Sequence, residues 1–104
     1  MLNFRDQLYV GEDIHHQSRI IRNLKAGKRL LSTYVLATCE GPGQLEIYHN
    51  FFLTAPVYQA MEFDVVGIAG SYADALDLVL QITEECYASR GDANIKAYLG
   101  NKTS

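Results

Sequence analysis

The residues able to do chemistry are few and scattered, with three histidines and two cysteines in 104 residues. His49, Tyr58 and Glu62 fall in one short stretch, and an imidazole, a phenol and a carboxylate around one cavity would supply the acid and base of a small enzyme. Cys39 and Cys86 match no zinc or redox spacing and have no base nearby in sequence, so they read as reduced, packed side chains rather than nucleophiles. His15 and His16 are adjacent; on a helix they diverge by about 100° and cannot hold one metal together. Gly67 and Gly70 bracket a strand-to-helix turn, where the amides of Gly70, Ser71 and Tyr72 form a candidate anion site for a phosphate or carboxylate. That turn lacks both the dinucleotide fingerprint and the phosphate-loop lysine, and Ser71 as an ordinary helix cap explains it as well. No catalytic residue, metal or cofactor is assigned on these grounds.

The elements that must position these residues follow from hydrophobic periodicity. Leu8–Val10 predicts a short strand ending at Gly11, and Ile14, Gln17, Ile21 and Leu24 predict a helix over 13–26 with Gly27 at its end. Branched and aromatic residues predict a strand over 30–39, joined by a hairpin at Gly41, Pro42 and Gly43 to a second strand at Leu45–His49. Pro56 forbids one continuous helix over the apolar connector from Asn50 to Met61, so a helical turn is expected on either side of it. Phe63–Ala69 is a nearly unbroken apolar run, as central strands are. Ser71 and Asp74 then cap a long helix reaching about Ser89, Gly91 ends it, and Ala93–Leu99 reads as a last strand.

Taken as two halves that each read strand, helix, strand, the chain resembles the ferredoxin-like α+β fold: one domain spanning residues 1–104, with an antiparallel sheet carrying two helices on one face. More narrowly, Tyr9-Val10-Gly11, Leu45-Glu46-Ile47, the turn from Val66 to Gly70 and the closing Lys96-Ala97-Tyr98-Leu99 are similar to a group of short bacterial proteins without assigned function. The resemblance implies the fold and a cytoplasmic, bacterial setting, and it carries over no activity or cofactor.

With both helices on one face, strand alternation leaves Tyr34, Leu36, Tyr48, Val66, Ile68 and Tyr98 on the other, unless alternation slips at a bulge or the 50–61 connector covers them. Tyrosines among aliphatics at that size suggest an interface, so a homodimer or higher oligomer joined through this open sheet face is the leading expectation. A small ligand-binding or regulatory role is its companion, and a small enzyme with a pocket near residues 49–62 the alternative.

Charge argues against nucleic acid as a main partner. Residues 1–30 carry a local balance of +3, with Arg19, Arg22, Lys25, Lys28 and Arg29 forming a candidate weak binding face, while the remainder is −6 and the pI is about 5.5. The signature by which RNA-recognition modules stack bases is missing from the strands. No apolar run is long enough to span a membrane, and no basic start with an apolar stretch marks a secretory signal. A soluble, cytoplasmic protein is therefore expected.

Overall fold

The computed structural model describes residues 2–41 and 44–102, the last two by backbone alone. Four strands, β1 (Leu2–Val10), β2 (Tyr34–Thr38), β3 (Glu46–His49) and β4 (Phe63–Ala69), form one mixed sheet in the order β1-β4-β2-β3. β4 runs parallel to β1 and antiparallel to β2, and β2 pairs antiparallel with β3. The helices are α1 (Gln17–Lys25), α2 (Pro56–Gln59), α3 (Tyr72–Arg90) and α4 (Ile95–Lys102), with a 3-10 turn at Asn50–Thr54.

The fold class is α+β, but the strand order differs from the ferredoxin-like expectation, and so does the last element. Ala93–Leu99 supplies a helix where a strand was expected. Ile95, Tyr98 and Leu99 have the i, i+3, i+4 spacing of a helical face, and the Asn94 side chain caps the turn by accepting the Ala97 amide at 3.2 Å. Just before it, Arg90 and the Asn94 amide hold the Asp92 carboxyl below the usual carboxylate range. Without that strand β1 is an edge of the sheet, and β4 lies between it and β2. The ends of β1 and the start of β2 then meet the same end of β4, at Val10–Ile68 and Tyr34–Ala69. α1 therefore bridges two neighbouring corners instead of crossing the sheet.

The sheet is covered on both faces. Ala75, Leu78, Ile82 and Cys86 of α3 and Ile95 and Leu99 of α4 pack on Leu36, Val66 and Ala69. On the opposite face Leu24 of α1 and Leu53 of the 3-10 turn pack on Val35, Ala37, Phe63, Val65 and Ile68, with Tyr48, Tyr58 and Met61 around them. This overturns the open face on which the interface expectation rested. Leu36, Val66 and Ile68 are at most 1% exposed. A bulge leaves Val66 without a partner on β2, so it turns toward α3 while Ile68 turns toward α1. Tyr34 and Tyr98 pack on the α3 side, the latter from α4, and Tyr48 packs on the other.

The connector obeys Pro56 as anticipated: the 3-10 turn stops before it, and α2 opens with it at its first position. Pro42 and Gly43 of the expected hairpin lie outside the described residues. β1 is longer than its apolar residues suggested, because pairing to β4 extends it to Leu2 on one side and its register shifts between Phe4 and Tyr9. α1 begins later than expected, after His16 in the left-handed conformation (φ 60°).

Two buried polar side chains fasten the loops. Asn50, 2% exposed, accepts the Leu30 amide at 2.8 Å and donates to the Leu30 and Thr33 carbonyls at 2.6 and 2.7 Å. It acts as a short extra strand for the loop before β2. Asn50→Ala should therefore cost about 2–3 kcal/mol, since it orphans the Leu30 amide and carbonyl and leaves the Thr33 carbonyl only the Asn50 backbone amide. Asn50→Asp should cost at least as much, because a carboxylate oxygen would face those two carbonyls. Urea unfolding of the two variants measures both, and a loss below about 0.5 kcal/mol would exclude this role.

Candidate functional site

The residues singled out for chemistry do not converge. His49 accepts the Phe51 amide at Nδ1 and lies 3.1 Å from the Leu31 carbonyl at Nε2, which fixes the proton on Nε2 and commits the ring to capping the 3-10 turn. Tyr58 lines a cleft of about 340 Å³ with Leu24, Asn50 and Thr54, a cleft that neither His49 nor Glu62 lines. Glu62 accepts from Asn3 at 3.4 Å on the exposed side of β1. The acid-base pocket expected near residues 49–62 is thus not assembled by these three groups.

The anion site is already filled from within. The Asp74 carboxylate, 6% exposed as a residue, accepts the Glu12, Asp13 and Gly70 amides at 3.0, 3.2 and 3.0 Å. The Ser71 hydroxyl accepts the Asp74 amide and donates to Asp13. A Cβ at Gly11 would stand 1.9 Å from an Asp74 oxygen, so only glycine lets the β1–α1 loop close on this carboxylate. An anionic ligand at Gly70, Ser71 and Tyr72 would meet that negative charge and an amide already taken. The turn is a joint that locks two loops together.

The basic face is also partly occupied. Lys25 sits over the Phe4 ring at 5.4 Å, and Arg29 sits over Phe51 at 5.5 Å while donating to Thr54. Among the described residues, no three His, Cys, Asp or Glu side chains come together as metal ligands. Likewise none of the described helices is long and apolar enough to cross a membrane.

The surface itself carries the strongest feature. Helix α3 buries Ala75, Leu78, Ile82 and Cys86, yet it also displays Tyr72, Leu76, Leu80 and Tyr87, which are 54, 46, 58 and 64% exposed. At about 100° per residue these four fall within about 80° of one another, so they form a second apolar stripe on a helix whose first is already used. At its N-terminal end the stripe meets the β2–β3 side of the sheet, where the Tyr72 ring stands against Tyr34, the partner of His49. Leu45, just before β3, and Ile47 within it are half-buried and pack against the same core as α3.

Aromatic rings carry this surface around the end of β3. Tyr72, Tyr34, His49 and Phe51 stand edge-on in sequence, with centroids 5.8, 5.0 and 4.7 Å apart. Leu31, Phe52 and Val57 are exposed as well, by 89, 61 and 66%. Strand alternation could not reveal this surface. Its signal lay in the helix, where Leu76 and Leu80 are surplus to a stripe that Ala75, Leu78, Ile82 and Cys86 complete.

Two phenols are held protonated. Burial, reinforced by donation to Glu85 at 2.6 Å, pushes the Tyr9 hydroxyl well above the ordinary tyrosine range, and burial with donation to Glu46 at 2.6 Å does the same for Tyr48. Raised folded-state values mean that both contribute stability present below pH 10 and lost as pH rises, because the unfolded chain releases those protons first. An ultraviolet titration should show two late tyrosines that disappear one at a time in Tyr9→Phe and Tyr48→Phe. Simultaneous ionisation of all seven tyrosines near pH 10 would contradict this.

Set against protein-family models, curated proteins and solved structures, the chain matches none of them.

Proposed function

We propose that the chain is an assembly module that pairs with a second copy of itself, α3 to α3, around the edge strand β3. The single observation carrying this reading is the stripe of Tyr72, Leu76, Leu80 and Tyr87, large apolar side chains aligned on the exposed side of a well-packed helix. Such a contiguous patch is a surface that association covers. Its composition fits, since tyrosine and leucine dominate and the charged Asp77 and Glu84 stand on one flank of the stripe.

A second copy is favoured as the occupant for two reasons. A helix of 19 residues is about 28 Å long, and pairing it with its symmetry mate along the stripe brings both edge strands and both aromatic runs into the same contact. A stable interface of roughly 800 Å² on each partner needs that added area, because the stripe alone supplies only part of it. β3 also leaves its outer edge unpaired in the sheet, which a neighbouring strand would satisfy. Cys39 and Cys86, both free thiols, support a reducing compartment such as the cytoplasm as the setting.

Sedimentation velocity at tens of micromolar tests the proposal. The expected result is a dimer or higher species for the natural chain that dilution dissociates. A monomer at every concentration overturns it.

A further inference from the structure

A cleft of about 510 Å³ opens between the starts of β1 and β4, the end of β2, and α4, and no residue of the α3 stripe lines it. Its floor is a row of polar side chains laid across three strands, since Asn3 pairs with Asp64 and Asp64 with Thr38. Phe4, Val66 and Leu99 give it apolar walls. Such a volume, mostly apolar with a few placed polar groups, suits a small organic molecule.

The guanidinium of Arg5 sets the chemistry. Its Nη2 donates to the Leu99 carbonyl at 3.3 Å, but Nε and Nη1 are both buried with no hydrogen-bond partner among the described residues. Buried donors on a permanent cation are costly to leave unpaired, and the group that satisfies them best is a carboxylate. A second cation stands at the same cleft but is engaged: Lys96 Nζ donates to the Cys39 and Gly41 carbonyls at 2.6 and 2.8 Å. Asp64 and Glu40 on the lining add negative charge, which opposes a doubly charged phosphate more strongly than a singly charged carboxylate.

We propose that this cleft binds a small organic carboxylate with an apolar body, held through Arg5. Both plain acids and amino acids present that chemistry, and in the second the ammonium would face Asp64. The proposal stands apart from self-association, which uses a different face.

Amide chemical-shift titration of the whole chain with 4-methylpentanoate, leucine and inorganic phosphate, each to millimolar concentration, tests it. At least one of the two carboxylates should shift the amides of Thr38, Asp64 and Leu99 in a saturable way, and the tighter of the two names the source. Phosphate should not. Arg5→Gln should weaken the binding about ten- to a hundredfold. Thr38→Phe fills the cleft while leaving Arg5 in place, and it should abolish the shifts even if Arg5→Gln fails to fold. Absence of saturable shifts with both carboxylates, equal binding of phosphate, or unchanged affinity in either folded variant would overturn the assignment.

Discussion

Asp74→Ala should destabilise the chain by about 3–5 kcal/mol, enough to lower Tm by about 20 °C. The carboxylate accepts three backbone amides from two loops, those of Glu12, Asp13 and Gly70. Each is a charge-assisted bond at a partly buried donor, so the loss exceeds that of an ordinary surface cap. It also removes a negative charge from the first turn of α3, where the helix dipole favours one. Because total stability for a domain of this size is about 5–15 kcal/mol, the variant should be partly unfolded at physiological temperature. Gly11→Ala tests the same joint from the other side, since its new methyl group must displace the carboxylate it faces. Thermal unfolding followed by circular dichroism reads both. A Tm within a few degrees of the natural chain for both variants would show that the loops are held by other contacts.

Leu80→Glu should raise the dissociation constant of the dimer about a thousandfold while leaving the fold intact. In a two-fold interface each substitution is met twice, and withdrawing a leucine from burial costs about 2 kcal/mol per copy. Twice that is near 4 kcal/mol, or about three powers of ten in affinity, before the cost of desolvating two carboxylates is added. In the single chain Leu80 is 58% exposed, so its replacement should alter stability by no more than about 0.5 kcal/mol. Ser18→Glu is the matching control. It adds the same charge at an exposed position of α1, on the opposite layer, and should leave association unchanged. If both variants weaken the dimer equally, net charge and not the stripe governs association.

Much of the architecture could be read from residue order, and the failures have definite causes. Phe63–Ala69 announced a central strand because only burial on both faces tolerates such a run, and the structure places it in the middle of the sheet. Ser71 and Gly91 marked the ends of α3 because each does a job few other residues can do: the first accepts the Asp74 amide, and the second takes the left-handed conformation at φ 77°. The seven residues from Ala93 to Leu99 were misread as a strand although Asn94 and the spacing of Ile95, Tyr98 and Leu99 indicate a helix. α4 joins the α3 layer, and it is α1 and the 3-10 turn that close the face expected to be open.

The candidate surfaces were less legible, for a physical reason. Assigning Tyr34, Leu36, Tyr48, Val66, Ile68 and Tyr98 to one face assumed unbroken alternation, whereas a single extra residue at Val66 separates it from Ile68. Asp74 read as a cap, but its bonds to the Glu12 and Asp13 amides join residues about sixty positions apart, which no local pattern encodes. Arg5 precedes the Leu8–Val10 strand read from the sequence, and only pairing with β4 draws it into β1. Among the described residues, the one hydrogen bond of its guanidinium goes to the Leu99 carbonyl of α4, an element found only in three dimensions, and leaves Nε and Nη1 without one.

In the proposed dimer the α3 stripe and the β3 edge form the contact between two copies. A dilution series of amide spectra tests it residue by residue. Shifts between concentrated and dilute chain should gather at Tyr72, Leu76, Leu80 and Tyr87 and at Leu45–Ile47, and they should vanish in Leu80→Glu. Spectra unchanged by dilution, or changes confined to α1 or to the cleft beside Arg5, would contradict it.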